Sequence, residues 1–228
     1  MQYTLIEQSV QIPPLGLSGD LAVPANASGI IVFAHGSGSS RHSPRNRHTA
    51  GELQDGGFGT LLLDLLTAAE EQVDLATRQL RFDIGLLAGR LIEVTDWLQR
   101  EPTTRGLPTG YFGASTGGGA ALVAAAARPL TIRAVVSRGG RPDLAGEALS
   151  RVKAPTLLIV GGDDSHVLRL NREAFDKMRC EKHLSIVPKA THLFEEPGAM
   201  EQVSDLALNW FKQHVKPGNE AETGSRVG

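Results

Sequence analysis

A serine lies at the centre of Gly113-Ala114-Ser115-Thr116-Gly117, a G-x-S-x-G pattern whose spacing suits a nucleophilic hydroxyl on a tight strand-to-helix turn. The run from Leu107 to Phe112 reads as the strand and Ala120 to Ala127 as the helix. Side chains beside such a serine would collide with neighbouring backbone, which accounts for the glycines, and the turn lifts the hydroxyl above the sheet edge. The Thr116 N–H, at the helix start, then faces the point where a carbonyl oxygen becomes negative under attack. A serine alone is a weak nucleophile, so the pattern carries weight only with a base and an acid.

Working groups of an open α/β sheet gather beyond the C-terminal ends of its strands. The apolar run ending at Val160 continues through Gly161 and Gly162 into Asp163 and Asp164. Asp164 is the expected carboxylate for orienting an imidazole, with Asp163 the close second; the same pair also reads as a solvated turn and helix cap. His192 follows the last strand-like run, and the chain order Ser115, Asp164, His192 is the order this architecture uses. The other histidines fit less well. His35, His42 and His48 precede the serine, His166 is too close to Asp164, His183 opens a strand and His214 lies in the last helix.

A second oxyanion donor is expected from the loop after the first long strand, His35-Gly36-Ser37-Gly38-Ser39-Ser40-Arg41. Its small residues allow close backbone approach, and the N–H of Ser37, or alternatively Gly38, is assigned beside that of Thr116. The same loop superficially suggests a dinucleotide site, but Arg41 replaces the third glycine and Pro44 keeps a helix from starting directly after it. No P-loop, H-E-x-x-H pattern or cysteine cluster is present, so phosphoryl transfer and zinc chemistry have no sequence support, and no cofactor is expected. Arg41, Arg45 and Arg47 follow the oxyanion loop, and Arg138 and Arg141 follow the strand after Ser115. Arg41 and Arg138 are the candidates for holding a substrate carboxylate.

The elements that would position these groups are legible as alternation. Residues from Tyr3 to Val23 alternate apolar and polar, giving two short antiparallel strands. Apolar runs at Gly29 to His35, Gly59 to Asp64, Thr109 to Phe112, Ile132 to Ser137 and Thr156 to Gly161 suit a parallel sheet buried on both faces, with His183 to Val187 as a last strand. Helices are expected over Arg45 to Asp55, Phe82 to Arg100, Leu168 to Met178 and Ala199 to His214. Leu65 to Gln72, with Arg78 to Arg81, read as a loop beside the cleft that could shape or cover it. The result is an α/β fold, a three-layer α/β/α sandwich with right-handed crossovers. Only Arg138 to Ala154 separates two strands where many lipases carry a large lid, which implies an open cleft and small acyl substrates.

Composition agrees with one domain. The chain has 228 residues, 41% hydrophobic and 21% charged, which we assign to a single domain over 1–216 and a polar, disordered tail over 217–228. A net charge of -2 gives no reason to expect nucleic acid or an anionic membrane as partner. Cys180 is the single cysteine and cannot form an internal disulfide, so a reducing, cytoplasmic setting is expected, with no membrane span and a monomer or homodimer.

The combination of His35-Gly36-Ser37-Gly38-Ser39-Ser40, Gly113 to Gly117, Gly162-Asp163-Asp164 and Ala190-Thr191-His192 resembles the α/β-hydrolase superfamily, in particular its small dienelactone-hydrolase-like branch. The resemblance implies an α/β-hydrolase sandwich, mostly parallel with N-terminal antiparallel strands and no large lid domain. It also implies cofactor-free hydrolysis of esters, lactones or thioesters of small acids. Dienelactone hydrolases use cysteine where this chain has Ser115. Some relatives similar around His35 to Arg47 are fused to a phosphoribosyltransferase domain. Two other classes remain open from the sequence: a hydrolase-fold binding or receptor protein with little turnover, and an acyltransferase using the same serine.

Overall fold

Strands with apolar residues on both faces need cover on both sides, and five strands are buried along their whole length or nearly so: β3 (Ile30–Ala34), β4 (Gly59–Leu63), β5 (Thr109–Ala114), β6 (Ile132–Arg138) and β7 (Thr156–Gly161). In the computed structural model, which describes residues 5–216, these are joined by β1 (Leu5–Ile12), β2 (Leu17–Pro24) and β8 (Lys182–Val187) in one sheet of order β1-β2-β4-β3-β5-β6-β7-β8. β1 and β2 pair antiparallel, as does β2 with β4, and every other pairing is parallel. The tail expected over 217–228 lies outside the described residues.

The period of two along each strand divides the core. Ile30, Val32 and Ala34 face the cluster built with α3 (Ile84–Leu98), α4 (Thr116–Ala127) and α5 (Ser165–Lys177). Ile31 and Phe33 face the opposite cluster, with α1 (Pro44–Asp55) and α6 (Ala199–His214). Phe33 stacks on Phe112 of the adjoining strand with ring centroids 4.9 Å apart.

Helix boundaries differ from the sequence expectation where caps decide. Ser43 caps α1, so Pro44 opens it; Asp83 caps α3 through the Leu86 N–H at 2.9 Å, after a short 3-10 turn at Leu80–Phe82. The segment read as a loop after Leu65 contains α2 (Ala68–Thr77), held by a capping box in which Thr67 and Glu70 bond reciprocally. A 3-10 segment, Pro142–Arg151, occupies part of the short connection between β6 and β7.

After β3 the chain runs outward to β4, then crosses to β5 on the other side of β3, so this strand is the switch point of the sheet. Ala34 pairs with Gly113, which brings the loop after β3 against the turn after β5. His35 fixes that loop. Its Nε2 accepts the Leu65 N–H at 3.1 Å, which leaves the proton on Nδ1, 2.9 Å from the Gly36 carbonyl. Burial pushes the imidazole below its ordinary pKa, against the opposing effects of the Gly36 carbonyl, Asp64 and Glu71.

Two predictions follow from this packing. A methyl group at Gly117 would be driven into the carbonyl oxygens of Ala34 and His35, whereas one at Gly51, inside α1, would meet nothing within 4 Å. Urea unfolding should therefore show Gly117→Ala destabilising by about 3 kcal/mol and Gly51→Ala stabilising by about 0.5–1 kcal/mol. Because His35 is held neutral, the unfolded chain takes up a proton below about pH 6.5 that the folded chain resists. The stability this ring contributes is therefore complete above that pH and lost as pH falls. The stability difference between wild type and His35→Gln should shrink between about pH 7 and about pH 5; a constant difference would contradict the assignment.

Candidate active site

Ser115 heads α4 with φ 50 and ψ -121, a conformation that side chains other than glycine rarely adopt. Its backbone is pinned from three directions. The Ser115 N–H donates to Arg138 O at 3.3 Å, and its carbonyl accepts from Gly118 N at 3.0 Å and Arg141 N at 2.9 Å. Among the described residues its hydroxyl makes no hydrogen bond, and it opens into a cavity of about 260 Å³ that His192 also lines. Gly113 and Gly117 are required by proximity: a Cβ on Gly113 would come within 2.6 Å of the Gly117 carbonyl oxygen.

The loop after β8 carries His192. It is tied to the end of β7 by the Asp163 N–H donating to Ala190 O at 3.0 Å and by Gly162 N donating to Val187 O at 2.8 Å. His192 Nδ1 lies 2.7 Å from Asp164 Oδ2, and the other Asp164 oxygen accepts the Val167 N–H at 3.3 Å as the cap of α5. Asp163, one residue earlier, is exposed. With Nδ1 bonded to the carboxylate, Nε2 is the nitrogen left to exchange protons.

Gly36 approaches the nucleophile so closely that an added Cβ would lie 3.0 Å from Ser115 Cβ. The next N–H, that of Ser37, has no backbone acceptor among the described residues, and the Thr116 N–H is an orphan donor of the first helical turn. Two free donors thus flank the serine, the arrangement that stabilises a developing oxyanion. Beyond this loop lies a second cavity, of about 160 Å³, sharing Gly36, Ser37 and Ser39 with the first.

The arginines part company. Arg41, expected near substrate, is instead committed to the fold: its guanidinium pairs with Asp64 and lies 3.5 Å from Asp20, and its N–H donates to Asp64 at 2.7 Å. Arg138 does line the nucleophile's cavity, at 7% exposure, with Asn46 Oδ1 3.4 Å from its Nη2 and the Phe194 ring 5.9 Å from Cζ. Burial first, and Arg45 second, push it down to about 10. Asn46 and Ser43 of the cavity wall escaped the sequence reading. Their signal is the Ser43-Pro44 start of α1, which turns the first helical turn toward the nucleophile.

The chain from 17 to 215 matches the model of the dienelactone hydrolase family. A crystal structure of dienelactone hydrolase from Anabaena variabilis is 58% identical, covers 95% of this chain and 100% of its own, and superposes with a TM-score of 0.91. Est1E from Butyrivibrio proteoclasticus shares the fold at 13% identity, with a TM-score of 0.74 over 91% of this chain and 98% of its own. Two Mycobacterium tuberculosis proteins bearing provisional phosphoribosyl transferase names are 58% identical over 213 residues. The match takes in 92% of this chain and 47% of theirs, so the chain spans about half the length of the curated relatives it matches. On the family match and on the Anabaena variabilis relative, the chain belongs to the dienelactone hydrolase family.

Proposed function

We propose that the chain is a serine hydrolase of carboxylic esters, acting on small acyl groups through Ser115, His192 and Asp164. The observation that carries the reading is the 2.7 Å contact between His192 Nδ1 and Asp164 Oδ2, with the same imidazole lining the cavity that Ser115 opens into. His192 Nε2 takes the hydroxyl proton as Ser115 Oγ attacks the acyl carbon. The Ser37 and Thr116 N–H groups hold the oxyanion. The imidazolium then gives its proton to the departing alcohol, and water, deprotonated by the same nitrogen, releases the acid and restores the serine. The transferase name of the longer relatives is not carried over, because this chain corresponds to about half of them.

Steady-state hydrolysis of p-nitrophenyl esters, acetate to octanoate, tests the reading: wild type should turn over many times with short chains, and Ser115→Ala should lose on the order of 10⁶ in kcat with its fold intact by circular dichroism. A single burst without turnover would leave a binding protein rather than an esterase. Asp164→Asn should cost about 10⁴ in kcat, since it upsets the tautomer and charge balance of His192. Asp163→Asn should leave the rate near wild type; the reverse ranking would overturn the assignment of the acid.

A further inference from the structure

The charge on the walls of the nucleophile's cavity is one-sided. Arg138 and Arg45 line it together with Ser43 and Asn46 of the first turn of α1, and among the described residues no aspartate or glutamate does. Arg45 is paired at 3.2 Å with Glu195, which is itself 66% exposed. Arg138 has no carboxylate within 4.0 Å among the described residues, and its buried Nε, like those of Arg41, Arg45 and Arg90, has no hydrogen-bond partner there. The same protein shows what it does with a comparably buried arginine elsewhere: Arg90, 8% exposed, is paired with Glu70 at 2.6 Å and Glu93 at 3.8 Å. An uncompensated buried cation is unfavourable unless something supplies the opposite charge. Here the open space lies beside the reactive serine.

The second cavity has the opposite character. Leu65, Leu75 and Leu87 line it; of its charged residues Asp64 is paired with Arg41 and Asp74 with Arg81, so Glu71 is the charge without an ion pair among the described residues, and a short uncharged chain is accommodated. Which half of an ester takes which cavity follows from the proton. His192 must reach the oxygen of the departing alcohol, and His192 lines the arginine cavity. The acyl group then runs past the Ser37 and Thr116 N–H groups, both of which line the second cavity.

We infer that the alcohol half of the substrate carries a phosphate monoester, seated on Arg138, Arg45 and the first turn of α1, while the acyl half is short and uncharged. Two guanidiniums and a helix N-terminus, against one exposed glutamate, offer more than one unit of positive charge, which matches a dianion better than a carboxylate. The planar fork of Arg138 and the Ser43 and Asn46 side chains supply donors for three oxygens. The reaction breaks only the acyl–oxygen bond: water provides the hydroxyl of the released acid and the proton of the phosphorylated alcohol, and the phosphate ester stays intact. This inference rests on the ester-hydrolase reading of the same serine.

The test compares kcat/KM for phosphoethyl, carboxymethyl and ethyl butyrate, in wild type, Arg138→Gln and Arg138→Lys, alongside calorimetric titration of phosphoethanol into Ser115→Ala and Ser115→Ala/Arg138→Gln. The phosphorylated ester should exceed both others by about tenfold or more, mainly through KM. Arg138→Gln should erase most of that ratio, and Arg138→Lys should restore part of it. Equal rates on the three esters would overturn the inference while leaving the hydrolase reading standing, and a carboxymethyl ester as good as the phosphorylated one would overturn the phosphate assignment. No turnover of any ester, with phosphoethanol binding that Arg138→Gln abolishes, would reject the hydrolase reading and retain the anion site. Neither turnover nor binding would reject both.

Discussion

The backbone of Ser115, held at φ 50 and ψ -121, is the constraint on which the site depends. A non-glycine residue in this region costs on the order of 1–3 kcal/mol and persists only where its surroundings over-determine it. Here they do. The carbonyl of Ser115 accepts two N–H groups, one from its own helix and one from the loop after β6, while its N–H is held by Arg138 at the end of β6. Any relaxation of the turn would break bonds in two elements at once. The packing of Gly117 onto the carbonyls of Ala34 and His35 locks the same turn to the end of β3, so Ser115 and the loop after β3 are positioned by one contact.

That dependence explains why the site could be read from the chain while some of its surroundings could not. Ser115, Asp164 and His192 stand at strand ends, and strand ends follow from apolar runs with glycines after them. The choice between Asp163 and Asp164 is a matter of which side chain turns inward, and residue type cannot decide it; the structure turns Asp164 to His192. Helix α2 was missed for a different reason. Its buried residue is Asp74, while Val73 and Leu75 are 55% and 61% exposed, so the hydrophobic period runs opposite to the usual one. The capping box of Thr67 and Glu70 was the surviving signal. The Ala-rich run by itself marks α4 only from Ala120, because Gly117, Gly118 and Gly119 are poor helix formers, yet close packing on neighbouring backbone demands them; the turn pattern, which puts Thr116 at a helix start, agrees with the observed boundary.

Charge pairing separates arginines that the sequence presents as equivalents. Arg41 and Arg47 both reach Asp20, and Arg41 also binds Asp64, so the segment after the oxyanion loop is fastened to β2 and to the end of β4. Arg81 is fastened to Asp74 in the same way and closes the far wall of the second cavity. These pairs fasten the neighbourhood of the loop after β3, whose residues Gly36, Ser37 and Ser39 line both cavities. Arg138 stands apart because its neighbours are an amide, an aromatic ring and another cation. Proximity in sequence to the loop therefore does not decide which arginine lines the Ser115 cavity: Arg41 and Arg47 are spent on ion pairs, whereas Arg138, without a carboxylate partner among the described residues, lines it.

Asp164 joins the fold to the chemistry most directly, because its two oxygens are committed to different tasks. One accepts the Val167 N–H and caps α5, and the other accepts from His192 Nδ1. The cap fixes the carboxylate's rotamer, so the direction of the second oxygen, and hence the tilt of the imidazole, is set by where α5 begins. α5 in turn is anchored by Asn171, whose amide donates to the Gly140 carbonyl at 3.0 Å in the loop that follows Arg138. That loop continues to Arg141, whose N–H holds the Ser115 carbonyl. His192, Asp164 and Ser115 are thus linked through one short chain of side-chain and backbone hydrogen bonds on the α5 side of the sheet, and a displacement of α5 would be felt by all three.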